Sequence, residues 1–230
     1  MQLAEYRNIV VLTGAGISQS AGLPTYRGAG GLWSDPDLQE LAQVESLRTR
    51  RADVCAMFWQ FRQAIRKVAA TAAHRALAAF EAGLPEEARF LLVTQNVDGL
   101  HQQAGSKRVC EYHGTLTRWR CEVCRDEREP PEGEPPVHCD QLMRPSAVLF
   151  GEAIPLDAEL VTKRALRSCD LFVSIGTSGT VWPAASFVRS AEYSGARRIL
   201  VNLEIDPEAR DLYTECHAGT ADEVVPRLFG

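Results

Sequence analysis

Small and polar residues that could hold a phosphate group follow the first apolar run of the chain. Residues 9–12 are branched or long apolar side chains, a run typical of a buried parallel strand. Gly14 and Gly16 come next, and glycine lets a backbone turn sharply and bring bare N–H groups against a ligand. Ser18 adds a hydroxyl and Arg27 a fixed positive charge, and the start of a helix after such a strand favours an anion. The stretch predicts a cradle for a dinucleotide pyrophosphate. A ligand-free turn is the alternative, because the G-x-G-x-x-G fingerprint is absent.

Three polar side chains stand at the end of a second apolar run. Residues 89–94 have the pattern of another buried strand, and Gln95, Asn96 and Asp98 follow it directly. Ligands of open α/β sheets bind beyond the carboxyl ends of the strands, so we expect this loop and the first one to face the same crevice. A plain turn is the alternative, because Asn-x-Asp-Gly is also ordinary turn chemistry.

A histidine suited to proton transfer lies further along the chain. His113 stands just before Gly114, and the unperturbed pKa of histidine is the nearest of any side chain to physiological pH, as a general base requires. A structural histidine is the alternative at this point.

Three cysteines and a histidine have the spacing of a structural metal site. Cys121 and Cys124 form a Cys-x-x-Cys pair, and His138 and Cys139 follow after residues 125–136, which are too charged and too rich in proline to form a packed core. A zinc ion can substitute for such a core, and Cys3His is an accepted ligand set. Adjacent ligands impose a tighter geometry than a spaced pair. A three-ligand site and a metal-free site are therefore the alternatives.

Apolar runs alternate with helical stretches along most of the chain. The predicted strands are 9–12, 89–94, 146–152, 171–175 and 198–201, and the predicted helices are 35–51, 53–82, 154–167 and 182–193. The strand at 171–175 ends in Gly176, Thr177 and Ser178, which suit a phosphate or a ribose, and the strand at 198–201 ends in residues 202–204. Four strands that end in polar loops and are separated by helices predict an α/β fold with a doubly wound parallel sheet.

The composition bounds the class of protein. The chain has 230 residues, enough for one sizeable core or for a main domain with a small appendage, and its 45% hydrophobic and 24% charged residues are ordinary for a globular protein. A net charge of −5 argues against a nucleic-acid partner, and no apolar run is long enough to cross a membrane. Seven cysteines, an odd number, argue against a complete disulfide framework. The first residues lack the apolar segment of a signal peptide, so we expect a cytoplasmic protein.

These motifs, taken together and in this order, resemble the signature of the sirtuin family. The resemblance covers about residues 8–226. The motifs are Gly14-Ala15-Gly16-Ile17-Ser18, Thr25-Tyr26-Arg27, Thr94-Gln95-Asn96-Val97-Asp98-Gly99-Leu100-His101, Tyr112-His113-Gly114, Phe150-Gly151-Glu152, Gly176-Thr177-Ser178 and Val201-Asn202.

The resemblance implies two domains with a cleft between them. Residues 1–34, 74–113 and 145–230 would form a Rossmann-like NAD-binding domain, and residues 35–73 and 114–144 a smaller helical, zinc-ribbon-like domain. Sirtuins bind an acyl-lysine peptide in this cleft, transfer the acyl group to NAD and release nicotinamide and O-acyl-ADP-ribose. A monomer is expected.

The resemblance also implies a role for individual residues. Asn96 would hold the ribose and a water, Asp98 would accept the amide N–H of nicotinamide, and His113 would take a proton from a ribose hydroxyl. The implied NAD-binding residues are Gly14, Ala15, Gly16, Ser18, Thr25, Tyr26, Arg27, Gln95, Asn96, Asp98, Gly176, Thr177, Ser178, Asn202, Leu203, Glu204 and Ala221. The substrate peptide would pair with a strand by β-augmentation. The implied residues of that strand are Val148, Phe150, Gly151 and Glu152.

Two features bear on the acyl group. Residues 25–30 resemble a branch of the family that accepts succinyl and malonyl groups, whose carboxylate is clamped by a Tyr-x-x-Arg pair. The aligned positions are Trp59 and Arg62, which share one face of a helix. An indole still offers an N–H donor. Three alternatives stay open. The clamp survives in weaker form, the pocket is recast for a bulkier apolar acyl group, or Arg62 is a solvated charge.

Other functions stay open at this stage. They are mono-ADP-ribosyl transfer or NAD hydrolysis, and a non-catalytic NAD-sensing module. His113 and the substrate strand favour deacylation, because sensing alone needs no base. A redox dehydrogenase fits less well, since no acidic ribose-binding residue follows the first strand and helix.

Overall fold

The computed structural model describes residues 3–24 and 35–230. The strands of these ranges are Asn8–Thr13 (β1), Arg89–Thr94 (β2), Val109–Glu111 (β3), Gly114–Arg120 (β4), Glu127–Arg128 (β5), Val137–His138 (β6), Gln141–Leu142 (β7), Arg144–Ala147 (β8), Leu171–Ile175 (β9), Arg197–Asn202 (β10) and Glu215–Ala218 (β11). The α-helices are Pro36–Leu41 (α1), Ser46–Thr49 (α2), Arg51–Ile65 (α3), Ala72–Gly83 (α4), Leu100–Gln103 (α5), Leu156–Leu166 (α6), Phe187–Tyr193 (α7), Pro207–Arg210 (α8) and Ala221–Phe229 (α9). Short 3-10 helices are Leu3–Glu5, Ala15–Ala21 and Ala184–Ser186. Within the described residues, no helix is both long and apolar enough to span a membrane.

The central sheet is fully parallel, as the sequence predicts for an α/β fold. Its six strands are ordered β11-β10-β9-β1-β2-β3. The chain adds β2 and β3 on one side of β1 and later adds β9, β10 and β11 on the other side, so the strand order reverses next to β1. The carboxyl ends of β9, β1 and β2 therefore meet at a topological switch point, where ligands of such folds bind. The sequence predicted only four of these strands. β3 has three residues and β11 is partly exposed, so neither shows an apolar run.

Both faces of the sheet are covered. Ile9 and Val11 pack into a cluster with α4 and α9, whereas Val10 and Leu12 pack into a cluster with α6 and α7. Successive side chains of a strand point to opposite faces, so a strand buried on both sides must be apolar throughout. This requirement explains the continuous apolar run that identified β1 in the sequence.

A third cluster lies outside the sheet. It is formed by α1–α3 with β4 and β8 and includes Trp119 and Met143, both fully buried. Ala147 and Leu149 also belong to this cluster, although the predicted boundary places them in the larger domain.

Three predicted elements are broken in the structure. The predicted helix 35–51 divides into α1 and α2, which residues 42–45 separate. The predicted helix 53–82 divides into α3 and α4, and Thr71 begins α4 with a capping box that includes His74. The predicted strand 146–152 ends as β8 at Ala147 and continues as an irregular segment.

Replacement of Gly176 by alanine is expected to destabilise the protein. Gly176 has a φ of +62°, and a Cβ there would lie 2.6 Å from the backbone N of Ile17. Crowding of this kind costs about 1–3 kcal/mol. A chain of this size loses about 2–4 °C of Tm per kcal/mol, so thermal unfolding should show a drop of several degrees. Gly83→Ala is the control, because a Cβ at Gly83 meets nothing within 4 Å. An equal Tm for the two variants would contradict the close packing.

Candidate active site

The loops after β1 and β9 cross in direct contact. Gly14 N–H donates to Ile175 O and Gly16 N–H donates to Gly176 O, both at 3.0 Å. These two amides are therefore bonded within the chain, so the bare N–H groups of the predicted cradle would be those of other residues, and the cradle stays a prediction. Glycine is needed here for a different reason, since a Cβ on Gly16 would lie 2.6 Å from Gly176 Cα. The helix that follows is a short 3-10 helix rather than an α-helix.

A buried hydrogen-bond network joins the loops after β1 and β2. Ser18 Oγ donates to Asp98 Oδ2 at 2.7 Å, and Asn96 Nδ2 donates to Ser18 Oγ at 3.2 Å and to Gly14 O at 3.1 Å. Leu100 N–H donates to Asp98 Oδ1 at 3.0 Å. Asn96 Oδ1 is buried but has no hydrogen-bond partner in the described part of the chain. A buried acceptor without a partner is costly, so this atom fits a site completed by a ligand's N–H or O–H.

His113 is held as a neutral imidazole. Its Nδ1 lies 3.2 Å from Gln95 O, so Nδ1–H donates to this carbonyl and Nε2 keeps its lone pair. Burial lowers the pKa of His113 below its ordinary value of 6.5, and this effect outweighs the hydrogen bond to Gln95, which raises the pKa. His113 is thus unprotonated near neutral pH and can act as a general base.

The loops after β9 and β10 also meet. Asn202 Nδ2 donates to Thr177 O at 3.1 Å, and Thr177 Oγ1 lies 3.1 Å from Ser174 Oγ. Ser178 is exposed and its hydroxyl lies 2.8 Å from Thr180 Oγ1. The structure thus places the predicted residues of four loops along one edge of the sheet.

Three further predicted residues follow the carboxyl ends of β10 and β11, and three others lie outside the described ranges. Leu203 and Glu204 are exposed just beyond β10, and Ala221 is buried at the first turn of α9. Thr25, Tyr26 and Arg27 lie outside the described residues, so their predicted contact with NAD stays a prediction.

The predicted substrate strand is partly occupied by the chain itself. Phe150 N–H donates to Ala42 O, and Phe150 O accepts from Val44 N–H, both at 2.9 Å. These two groups of Phe150 already have partners within the chain, so a peptide that pairs with this segment is expected to use other backbone groups as well, and the role of Phe150 stays a prediction. Val148 N–H donates to His113 O at 2.8 Å, so this segment starts directly beside the histidine.

Glu152 is bound by a buried arginine. Both carboxylate oxygens accept from the Arg144 guanidinium, with 2.8 Å between Arg144 Nη2 and Glu152 Oε2. Burial alone would raise the pKa of Glu152, but the hydrogen bonds from Arg144 and Leu149 N–H keep it below its ordinary value. The side chain of Glu152 therefore supports the turn after β8, and its predicted role in substrate binding can only be a backbone one.

Trp59 and Arg62 are both buried in the smaller cluster. Trp59 Nε1 donates to Gly133 O at 2.9 Å, so the indole N–H that the predicted acyl clamp would use is bonded within the chain. Arg62 lies over the Trp59 ring, 5.2 Å from its centroid, and is only 2% exposed, which excludes the solvated alternative. Its Nη2 donates to Pro130 O at 3.3 Å. Burial lowers the pKa of this guanidinium.

The four predicted metal ligands come together. The ligand atoms of Cys121, Cys124, His138 and Cys139 all lie within 4.8 Å of one another. His138 Nδ1 is 3.3 Å from the Sγ atoms of both Cys124 and Cys139. Hydrogen bonds, first from the Cys124 backbone, lower the pKa of Cys121 to about 6, which favours the thiolate that a metal needs. Three thiolates and an imidazole in this arrangement fit a tetrahedral zinc ion.

A tight hairpin makes adjacent ligands geometrically acceptable. His138 on β6 pairs with Gln141 on β7, and Cys139 and Asp140 form the two-residue turn with φ of 49° and 59°. Positive φ at both turn residues is typical of a type I′ hairpin. The left-handed backbone at Cys139 lets its side chain and that of His138 reach the same point.

Sequence reasoning assigned no role to a second polar cluster behind Asp98. His101 Nε2 lies 2.9 Å from Thr13 Oγ1, and its ring lies 4.6 Å from the ring of His74. Burial lowers the pKa of both histidines. Only the placement of His101 three residues after Asp98 could have pointed to it.

The chain is similar to known proteins over nearly its full length. Residues 14–183 match a family model described as the Sir2 family. A relative from Pasteurella multocida (strain Pm70), named NAD-dependent protein deacylase, is 41% identical over 229 residues, which cover 96% of each chain. A solved Sir2 homologue in complex with NAD is 33% identical, with a TM-score of 0.88 over 98% of this chain and 89% of the other. A solved complex of Sir2 with a p53 peptide and NAD+ is 30% identical, with a TM-score of 0.81 over 97% of this chain and 92% of the other.

Loss of His138 is expected to weaken metal binding and stability together. A structural zinc site contributes about 10–16 kcal/mol in small modules, so His138→Ala should lower both the zinc content by mass spectrometry and the Tm. His138→Cys should restore both, because a fourth thiolate suits the same tetrahedral site. His217→Ala, at a histidine on the distant strand β11, is the control. Unchanged zinc content and Tm in His138→Ala would exclude His138 as a ligand.

Proposed function

The chain belongs to the Sir2 family, the sirtuins, and is an NAD-dependent protein deacylase. From this premise we propose that Asn96, Asp98 and His113 carry the reaction. The observation that supports this assignment best is the buried network of Ser18, Asn96 and Asp98, in which Asn96 Oδ1 has no partner among the described residues. Beside it lies His113, whose Nε2 keeps its lone pair and can accept a proton.

NAD supplies the leaving group, nicotinamide, and the ribose that takes the acyl group from lysine. Asp98 can accept the amide N–H of nicotinamide, because each carboxylate oxygen has a second lone pair beyond those used by Ser18 and Leu100. The unpaired Asn96 Oδ1 is suited to a ribose hydroxyl or an ordered water. Both groups are fixed by the chain before any ligand binds, so little reorganisation is needed.

His113 is proposed to take the proton of a ribose hydroxyl at Nε2. The Gln95 carbonyl fixes the tautomer through Nδ1, and burial keeps the ring neutral. The acyl-lysine peptide is proposed to lie along residues 148–152, since Val148 is bonded directly to the His113 carbonyl. Pairing there would use backbone groups other than the two of Phe150 that bind Ala42 and Val44.

Arg62 is proposed to select acidic acyl groups without help from the Trp59 N–H. Two of its nitrogens, Nε and Nη1, are buried and have no partner among the described residues. A buried guanidinium with unused donors favours a carboxylate. Succinyl and malonyl groups carry one, whereas an acetyl group does not. The proposed activity is therefore deacetylation together with removal of acidic acyl groups.

We also propose two domains and one structural zinc ion. The three packing clusters support the predicted two-domain division, and the ligand cluster supports one structural zinc ion. A monomeric, cytoplasmic protein stays a prediction of the sequence.

His113→Ala is expected to lower kcat for deacylation about 10²–10⁴-fold, because it removes the general base.

In the unaltered enzyme, kcat/KM should rise with pH through the lowered pKa of His113 and level off above about pH 7, since only the unprotonated ring accepts a proton. Peptide turnover by mass spectrometry measures both effects. His217→Ala is the control, and a His113→Ala variant of normal activity would refute the role.

Arg62→Met is expected to lower desuccinylation far more than deacetylation of the same peptide. Removal of one partner of a buried charge pair commonly costs about 2–5 kcal/mol in binding, and only the succinyl group brings the second charge. The measurement is kcat/KM for the acetyl and succinyl forms. Arg66→Met, at the C-cap of the same helix and partly exposed, is the matched control. Equal losses for both acyl groups would remove Arg62 from the acyl pocket.

A further inference from the structure

A charged segment of the smaller domain lies across the helix that carries Arg62. We call residues 126–134 the acidic strap. Its carboxylates belong to Asp126, Glu127, Glu129, Glu132 and Glu134. The strap contacts α3 through the hydrogen bond from Trp59 to Gly133 O and the ion pair of Arg62 with Glu129, and it contacts the C-cap residue of α3 through the ion pair of Arg66 with Glu132.

The two ion pairs differ in what they cover. Arg66 is partly exposed and lies 2.6 Å from the exposed Glu132, so this pair is an ordinary surface contact. The Arg62 side chain is 3% exposed, whereas the Glu129 carboxylate, 3.4 Å from Arg62 Nη2, is 74% exposed. The strap therefore brings a solvated carboxylate, held by one long contact, against a buried guanidinium.

The Arg62 guanidinium is incompletely satisfied. The strap reaches only Nη2, through Glu129 and the Pro130 carbonyl, and leaves Nε and Nη1 without partners in the described ranges. Both unpaired nitrogens are shielded from solvent. A carboxylate that arrives from the cleft would thus meet an Arg62 guanidinium that is already paired with the Glu129 carboxylate and covered by the strap.

We propose that Glu129 is a specificity-determining residue that competes with acidic acyl groups for Arg62. The proposal rests on the proposed placement of Arg62 in the acyl pocket. An acidic acyl group exchanges with Glu129 at the guanidinium, and the strap moves away as it does so. A neutral acyl group does not compete for the charge, so Glu129 shifts the enzyme towards neutral acyl groups and weakens, without abolishing, its use of acidic ones.

The test is Glu129→Gln, which removes the charge but keeps the size and a hydrogen-bond acceptor. We expect KM for a succinyl-lysine peptide to fall about two- to fivefold with kcat retained, the range that corresponds to an ion pair with one exposed member. Both constants for the acetyl peptide should stay unchanged. Glu132→Gln is the matched control on the same strap and should leave all four constants unchanged.

Arg62→Met separates this proposal from the one on which it rests. In the Arg62→Met background, Glu129→Gln should have no effect, because the guanidinium for which Glu129 competes is gone. If Arg62→Met is selective for succinyl but Glu129→Gln changes nothing, changes both peptides equally or raises the succinyl KM, the competition is overturned and the pocket assignment stands. If Arg62→Met lowers both activities equally, the pocket assignment itself fails. An effect of Glu129→Gln that persists in the double variant also overturns the proposal.

Discussion

The contact between the loops after β1 and β9 is the constraint on which the site depends. Gly14 and Gly16 bind the backbone of Ile175 and Gly176, and a Cβ on any of Gly14, Gly16 or Gly176 would lie within 2.7 Å of backbone atoms of the opposite loop. Because the first loop closes in this way, Ser18 and the Gly14 carbonyl come within hydrogen-bond distance of Asn96 in the loop after β2. The site at the switch point is thus assembled by backbone packing before any ligand enters.

The pairing of buried polar groups is the second constraint. Most of them in this chain are satisfied, as Arg144 with Glu152 shows, because an unpaired group costs about 1–3 kcal/mol or more. Asn96 Oδ1 and two nitrogens of Arg62 are among the few exceptions in the described residues. Asn96 and Arg62 are the residues that we propose to bind the two ligands of the reaction, the ribose of NAD and the acyl group.

The smaller domain is ordered by more than its apolar cluster. Its ligand cluster is brought together by the 121–124 turn and by the hairpin at Cys139, and its charged strap is held against α3 by ion pairs and one indole hydrogen bond. Such a domain places charged loops close to α3, the helix that carries Arg62, while these loops bury little surface of their own. This arrangement explains how a segment with no core of its own can influence the acyl pocket.

The sequence by itself determined the reaction class and the parallel sheet and identified the four candidate metal ligands, because these depend on local patterns. An apolar run identifies a strand buried on both faces, and ordered motifs identify a family. The weakly apolar edge strands β3 and β11 escaped the same reasoning.

Only the tertiary structure decided which polar groups are already used. Ser18 and Asp98 are 80 residues apart, and Trp59 and Gly133 are 74 apart. The amides of Gly14 and Gly16 in the predicted phosphate cradle, and the Trp59 N–H in the predicted acyl clamp, each have a partner within the chain. A residue type specifies what a side chain or a backbone group can bind, whereas long-range packing decides whether that capacity remains free.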